Sequence, residues 1–216
     1  MSLYSFFEED LKNCPTFNNR EEMWDAVLIP RFQSIHKIVE FGVWRGKSLR
    51  WFSEKFPNAT VFGFDSFKGL PEDWNIGKTI MTKGTFNSID ADEIIDALSK
   101  IPNVNLIEGL FEDTLPVFCE EQELLELDLI HFDCDLYSST KTALRYMEGS
   151  FKTGTLLLFD EFTSTKKESF LLREHEYRAF AEFCKSKETF RYKFLGKTLP
   201  VVDKVGEQVI VEIINV

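Results

Sequence analysis

The sequence predicts a doubly wound α/β fold: a seven-stranded, mostly parallel sheet with helices on both faces, its last two strands an antiparallel hairpin. Three observations carry this. Short apolar runs alternate with amphipathic stretches along the chain, which is the order that βα units produce. The runs are apolar at successive positions rather than at every second one, as strands buried on both faces are. The chain then closes with two apolar runs, Arg191–Leu195 and Gln208–Ile214, with no helical stretch between them.

The five leading runs are Ile35–Phe41, Thr60–Asp65, Val104–Glu108, Leu127–Asp133 and Thr155–Asp160. Helices are expected over Lys47–Phe56, which follows Gly46, and over Ala91–Lys100. The second starts at Asp90 with Glu93 three residues on, the spacing of a capping box, and Ile94, Ile95, Leu98 and Ile101 form its apolar stripe. Ser139–Glu148 places Ala143, Leu144 and Met147 on one face, with Ser138 as candidate N-cap. A long charged helix is expected over about Glu168–Lys185. These make five βα units and a terminal hairpin, expected as one domain over residues 1–216, with a helical extension over 1–34. The stretch 66–90 holds Pro71, Trp74, Gly77 and Gly84, is too long for a plain connection, and is a candidate lid. In it, Trp74 and Phe86 either stack on a ligand or pack inside the loop.

The charge of −11 argues against a nucleic-acid backbone or an anionic membrane as the main partner, since both require clustered Lys and Arg. No apolar run reaches the length of a membrane span. The N-terminus lacks the basic and apolar regions of a signal peptide. The four cysteines show no CxxC spacing, which fits neither zinc nor a redox motif, so a reduced, cytoplasmic protein is expected. The 22 phenylalanines are expected to fill an aromatic-rich core. The apolar run Leu3–Phe7 docks either on a neighbouring subunit of a homo-oligomer or on its own core.

Ligands of doubly wound sheets bind at the carboxyl ends of the strands. Here those ends are Glu40, Asp65, Glu108, Asp133 and Asp160, all acidic. In Glu40-Phe-Gly-Val-Trp-Arg-Gly-Lys-Ser48 a strand runs through a glycine loop into a helix whose free N–H groups suit an anion. The spacing is G-x-x-x-G, and Trp44 stands where a dinucleotide fingerprint needs its second glycine for close approach of a pyrophosphate. NAD and FAD are therefore disfavoured. A ligand whose only anion is a carboxylate is not, and S-adenosylmethionine is one. Its carboxylate suits the helix N-terminus, its ammonium suits Glu40, and its ribose diol suits Asp65, 19 residues after Gly46. The loop Glu108-Gly-Leu-Phe111 offers apolar walls for adenine. At the next two strand ends Asp133, Asp160 and Glu161 would converge. Three close carboxylates repel unless a cation joins them, and oxygen ligands suit Mg²⁺, Mn²⁺ or Ca²⁺. Asp135 competes for a place in that set, because alternation puts it on the side of Asp133. Without further information, helix capping or solvent exposure accounts for these acids equally well.

The motifs Phe64-Asp-Ser-Phe-Lys-Gly-Leu-Pro71, Lys83-Gly-Thr-Phe86, Glu108-Gly-Leu-Phe-Glu-Asp-Thr-Leu-Pro116 and Asp133-Cys-Asp-Leu-Tyr-Ser-Ser-Thr140, followed by Asp160-Glu161, are together similar to those of the macrocin O-methyltransferase (TylF/MycF-like) family. That family belongs to the class I, Rossmann-like S-adenosylmethionine-dependent methyltransferases, and the glycine loop resembles their first motif. The resemblance covers about residues 35–185. It implies donor binding by Glu40, Gly42, Trp44, Ser48, Asp65, Ser66, Gly109, Leu110, Phe111 and Asp133. It implies a magnesium site at Asp133, Asp160 and Glu161, and methyl transfer to a hydroxyl of a sugar or related small polyol, with Asp133 at the reacting atoms. The second acid of the usual Asp-Asp pair is Glu161 here, and Cys134 stands where Gly is frequent. Catechol-type relatives carry Lys at the position of Leu136, so that role does not transfer. Among the histidines, His131 reads as a core residue, His36 lies away from the crevice, and His175 belongs to the run Glu174-His-Glu-Tyr177, which either lines the acceptor pocket or forms a solvated face. Two alternatives stay open: the same fold with another acceptor or no metal, and a non-catalytic S-adenosylmethionine-binding module.

Overall fold

A computed structural model describes residues 3–122, 125–164, 170–200 and 206–216. Helix α1 (Glu8–Asn13), strand β1 (Thr16–Phe17) and helix α2 (Arg20–Val27) precede the first long strand. Then follow β2 (Lys37–Phe41), α3 (Lys47–Lys55), β3 (Thr60–Asp65), β4 (Trp74–Asn75), β5 (Ile80–Met81), α4 (Ala91–Ser99) and β6 (Val104–Glu108). The second half holds α5 (Phe111–Glu121), β7 (Leu129–Phe132), α6 (Tyr137–Met147), β8 (Leu156–Thr163), α7 (Glu176–Lys185), β9 (Arg191–Thr198) and β10 (Glu207–Asn215).

The main sheet has the order β1-β9-β10-β8-β7-β2-β3-β6. Its pairs are parallel except those of β10, which runs antiparallel to β8 and β9. It has one strand beyond the seven expected: β1, two residues on the edge beside β9 and too short to leave a pattern in the sequence. β4 and β5 form a separate antiparallel pair inside 66–90. Strand order reverses between β2 and β7, so their carboxyl ends open the crevice where such sheets bind ligands.

The parallel strands are apolar throughout because both faces are covered. β7 and β8 are buried at every position. One face carries α1, α5, α6 and α7, and its core is aromatic. Phe132 stacks on Phe159 at 4.7 Å between ring centres, and Phe7 meets Phe162, Tyr177, Phe180 and Phe194 at 5.1–5.5 Å. The N-terminal run therefore docks on its own core, and the Phe7 N–H donates to the Tyr177 hydroxyl at 2.9 Å. The other face carries α2, α3 and α4 through Trp24, Leu49, Phe52 and Leu98.

Three local expectations are corrected. No side chain caps α4 at Asp90, so the capping box does not form. The α6 N-cap is Leu136, and Ser138, the second residue of the helix, donates instead to Glu72 of the 66–90 segment at 2.5 Å. The long charged helix is shorter. Residues 165–169 lie outside the described residues, a 3-10 turn covers Leu172–Glu174, and α7 begins at Glu176 after His175 leaves helical geometry (φ −106°, ψ −113°).

Candidate active site

A cavity of about 360 Å³ lies over the carboxyl ends of β2, β3, β7 and β8, within the size range of small-molecule sites. Of the residues expected to bind a donor, Gly42, Trp44, Ser48, Asp65, Ser66, Gly109, Leu110, Phe111 and Asp133 line it; Glu40 does not. Asp160 and Glu161 line it too, together with Cys134 and Asp135. Glu108 is exposed at the edge of the sheet and takes no part in the lining.

The loop after β2 is fixed by its backbone. Gly42 has φ +91°, and a Cβ on it would lie 1.8 Å from the Asp133 carbonyl oxygen. Only glycine lets the ends of β2 and β7 approach this closely. Trp44 also adopts left-handed geometry (φ 48°), at a position where a side chain strains the backbone. Asp65 offsets that strain. Its Oδ2 accepts from the N–H groups of Val43 and Trp44, each at 2.7 Å, and its Oδ1 accepts from the Phe67 N–H at 2.7 Å. A carboxylate offers about four acceptor positions, so Asp65 retains room for one further donor rather than for both hydroxyls of a diol. The Trp44 ring is 48% exposed at the mouth and meets Phe86 edge-on at 5.6 Å. Trp74 is buried with Leu70, Ile76, Leu136 and Leu172, yet it also lines the cavity.

The acids divide by the pleat of β8. Consecutive strand residues face opposite ways, and Asp160 and Glu161 are consecutive. Asp160 turns to the α2–α3 face, where its Oδ1 lies 3.7 Å from His131 Nε2 and 3.7 Å from an Arg20 Nη1. His131 Nδ1 meets Glu40 Oε1 at 2.9 Å, and both side chains are fully buried. Burial alone would pull the His131 pKa down, but Asp160 and Glu40 outweigh it and push it to about 10, so the ring is an imidazolium between two carboxylates. His131 is a core residue, and a charged one.

Glu161 turns to the other face. Carboxylate oxygens of Asp133, Asp135 and Glu161 lie within 4.8 Å of one another. The structure thus brings Asp133 and Glu161 together with Asp135, while Asp160 sits across the strand. Asp135 has φ 62°, a second strained residue at the site. Burial, then Asp133, Asp160 and Asp65, push the Asp135 carboxyl well above the usual carboxylate range. Burial and the neighbouring acids do the same to Glu161, whose Oε2 is buried without a hydrogen-bond partner.

A fourth acid comes from the run Glu174–Tyr177. Glu176 is fully buried at the start of α7, accepts from the Glu161 N–H at 3.1 Å, and is also pushed well upward by burial and by Asp135, Asp160 and Asp133. The signal was its spacing: Glu176, Phe180 and Cys184 lie at i, i+4 and i+8 and share the buried stripe of α7. The neighbouring His175 is held with its Nε2 2.8 Å from the Asn75 carbonyl oxygen, and burial lowers its pKa.

The sequence model of the family described as macrocin-O-methyltransferase (TylF) matches residues 26–183. The chain belongs to this family. It is an S-adenosylmethionine-dependent methyltransferase, and the TylF match spans β2 to α7, which build the cavity. Comparison with curated protein sequences gives no match. Among solved structures, CalS11, a calicheamicin methyltransferase, superposes with a TM-score of 0.62 at 19% identity, covering 97% of this chain and 91% of that one. The apo form of CalS11, named TDP-rhamnose 3'-O-methyltransferase, gives 0.54 at 19% identity, over 97% and 92% of the two chains. An O-methyltransferase from Bacillus cereus in complex with SAH gives 0.59 at 16% identity, over 97% and 90%. At these identities the superpositions speak for the fold of the TylF chain. Among its described residues no helix is long and apolar enough to cross a membrane.

Proposed function

We propose that this enzyme transfers the methyl group of S-adenosylmethionine to a hydroxyl of a sugar or related small polyol with the help of a divalent cation held by Asp133, Asp135 and Glu161. The observation that carries the reading is the convergence of those three carboxylates in the wall of a cavity that also touches the β2 and β3 loops. The family supports the donor and the reaction, and CalS11, whose name specifies a TDP-rhamnose hydroxyl, supports a sugar acceptor.

The donor set fits such an ion. It is all oxygen, as Mg²⁺, Mn²⁺ and Ca²⁺ prefer, and the unpartnered Glu161 Oε2 is an acceptor that the fold leaves unused. Asp135 takes the place that the sequence reading gave to Asp160. When bound, the ion lowers the pKa of a coordinated hydroxyl and orients it. The chain does the rest. Asp133 faces the reacting atoms and takes the hydroxyl proton. The β2 loop, braced by Asp65, fixes the donor in line with the acceptor oxygen. Residues 66–90 cover the acceptor side through Leu70, Pro71, Trp74 and Phe86 and keep water out. This segment is fastened to α6 by Ser138–Glu72 and to the start of α7 by His175–Asn75.

The test is release of S-adenosylhomocysteine from S-adenosylmethionine with a panel of free and nucleotide-linked sugars, with Mg²⁺ and with EDTA. Turnover that needs the sugar and is lost in EDTA is expected. Turnover unaffected by EDTA would remove the cation, and turnover only with aromatic or non-hydroxylic acceptors would remove the sugar.

A further inference from the structure

The cavity is lined by six acids, Asp65, Glu112, Asp133, Asp135, Asp160 and Glu161, but by only two cations, Arg20 and Lys47. Arg20 lies outside the family match at 26–183 and comes from α2. The start of α2 is rigid. Asn19 caps it by accepting the Glu22 N–H at 2.9 Å, and Trp24, one turn on, packs against Phe52 and His131. The Arg20 guanidinium lies 5.1 Å from the centre of the Trp24 ring, and its side chain is only 12% exposed. Yet its charge is weakly engaged. Its contacts among the described residues are Glu21 at 3.5 Å and Asp160 at 3.7 Å, both longer than a charge-assisted hydrogen bond. A fork of N–H donors is thus held at the cavity wall without a close acceptor.

A second observation points the same way. Ser48, on the first turn of α3, is 6% exposed and lines the same cavity. No side chain caps α3, whose N-cap is Gly46. A cavity-lining hydroxyl, an uncapped helix start and a planar guanidinium make a receptor for one carboxylate. A diphosphate would require more positive charge than two cations set against six acids supply.

We propose that Arg20 is a specificity-determining residue that binds the α-carboxylate at the amino-acid end of the methyl donor, with the Ser48 hydroxyl as second donor. This rests on the donor being S-adenosylmethionine. Arg20 bridges that carboxylate to Asp160, so it orients the donor from its end remote from the adenine.

Calorimetry on the full chain tests this with two ligands. S-adenosylhomocysteine carries the carboxylate, and 5′-methylthioadenosine keeps the adenosine and sulfur without it. Arg20→Gln is expected to weaken S-adenosylhomocysteine by about tenfold or more, the usual worth of a charged hydrogen bond, and to leave 5′-methylthioadenosine unchanged. Retained binding of the second ligand also certifies that the variant folds. Arg20→Lys, which keeps the charge but loses the fork, is expected to give an intermediate loss for S-adenosylhomocysteine alone, and it decides the matter should Arg20→Gln fail to fold. An equal loss for both ligands would overturn the proposal in favour of a purely structural role beside Asp160. Unchanged binding of S-adenosylhomocysteine with a raised KM for the acceptor would overturn it in favour of acceptor recognition. A wild-type protein that binds neither ligand would instead overturn the donor assignment itself.

Discussion

Gly42→Ala tests the link between backbone and chemistry at the centre of the site. The new Cβ would stand 1.8 Å from the Asp133 carbonyl oxygen, roughly 1.5 Å or more short of ordinary contact. That oxygen is backbone and cannot swing away, so β2 and β7 must separate at their carboxyl ends. The residue would also keep φ near +91°, a conformation that costs a side chain about 1–3 kcal/mol. Clash and strain together should remove at least about 3 kcal/mol, or about 6–12 °C in melting temperature for a chain of this size. The separation moves Asp133 by about an ångström, and a misplacement of that size costs on the order of a hundredfold in rate. Gly149 is the control. A Cβ there meets nothing within 4 Å, so Gly149→Ala should leave both quantities unchanged. The assays are thermal melting and initial rate of methyl transfer at saturating donor. A Gly42→Ala protein that melts within about 2 °C of the wild type and turns over normally would refute the claim that this contact sets the geometry of Asp133.

Three further outcomes follow from the buried acids and the N-terminal run. Asp135, Glu161 and Glu176 titrate above their ordinary range when folded, so their stabilising contribution is complete below the unfolded carboxylate range and is lost as pH rises through the elevated values. The melting temperature of metal-free protein should therefore fall between about pH 5 and pH 8, and millimolar Mg²⁺ should restore it at pH 8; a flat profile indifferent to Mg²⁺ would contradict this. Glu176→Gln keeps an acceptor for the Glu161 N–H while removing one buried charge, so it should flatten that profile and raise metal-free stability at pH 8 by about 1–3 kcal/mol, measured by denaturant unfolding. Phe7→Ala should cost about 3–5 kcal/mol through the cavity left among four aromatic rings, with the affinity for S-adenosylhomocysteine unchanged; a loss under 1 kcal/mol would mean that the N-terminal run does not dock on its own core in solution.

The strands of the parallel sheet were legible because burial on both faces leaves runs such as Leu-Ile-His-Phe132 and Leu-Leu-Leu-Phe159 that little else produces. Helix ends were less so. Capping depends on the entry angle of the chain, and at Asp90 and Ser138 that angle sends the side chain elsewhere. Helix α5 left a stripe of Phe111, Leu115 and Phe118 but contains Pro116, which usually marks a boundary. β1 is too short for any periodicity. At the site, residue types and strand ends were readable, while facing was not. Asp160 and Glu161 look like one pair in a sequence because the pleat that separates them appears only once β8 is seen to continue to Thr163. Arg20 escaped notice because its importance lies in how few cations line one cavity among the described residues, a property of the folded surface rather than of any motif.

The pleat of β8 also explains why one pair of neighbouring acids behaves in two ways. On the α2–α3 face Glu40 and Asp160 meet an imidazolium at His131 and a guanidinium at Arg20. Two positive groups there are built into the chain beside the carboxylates, and Asp133 also reaches His131 and Glu40 from the end of β7. The charged groups that press on Asp135, Glu161 and Glu176 are carboxylates, with Asp160 among them from across the strand. Burial and mutual repulsion then leave two ways to relieve them: protons, or a cation from solution. Protons are the cheaper remedy at low pH and become unavailable as pH rises, which is where a divalent ion competes best. Cations beside one face and carboxylates alone beside the other, about 3.8 Å apart along the same backbone, are the contrast on which the proposed roles rest, a wall for the donor on one side and a place for an ion on the other.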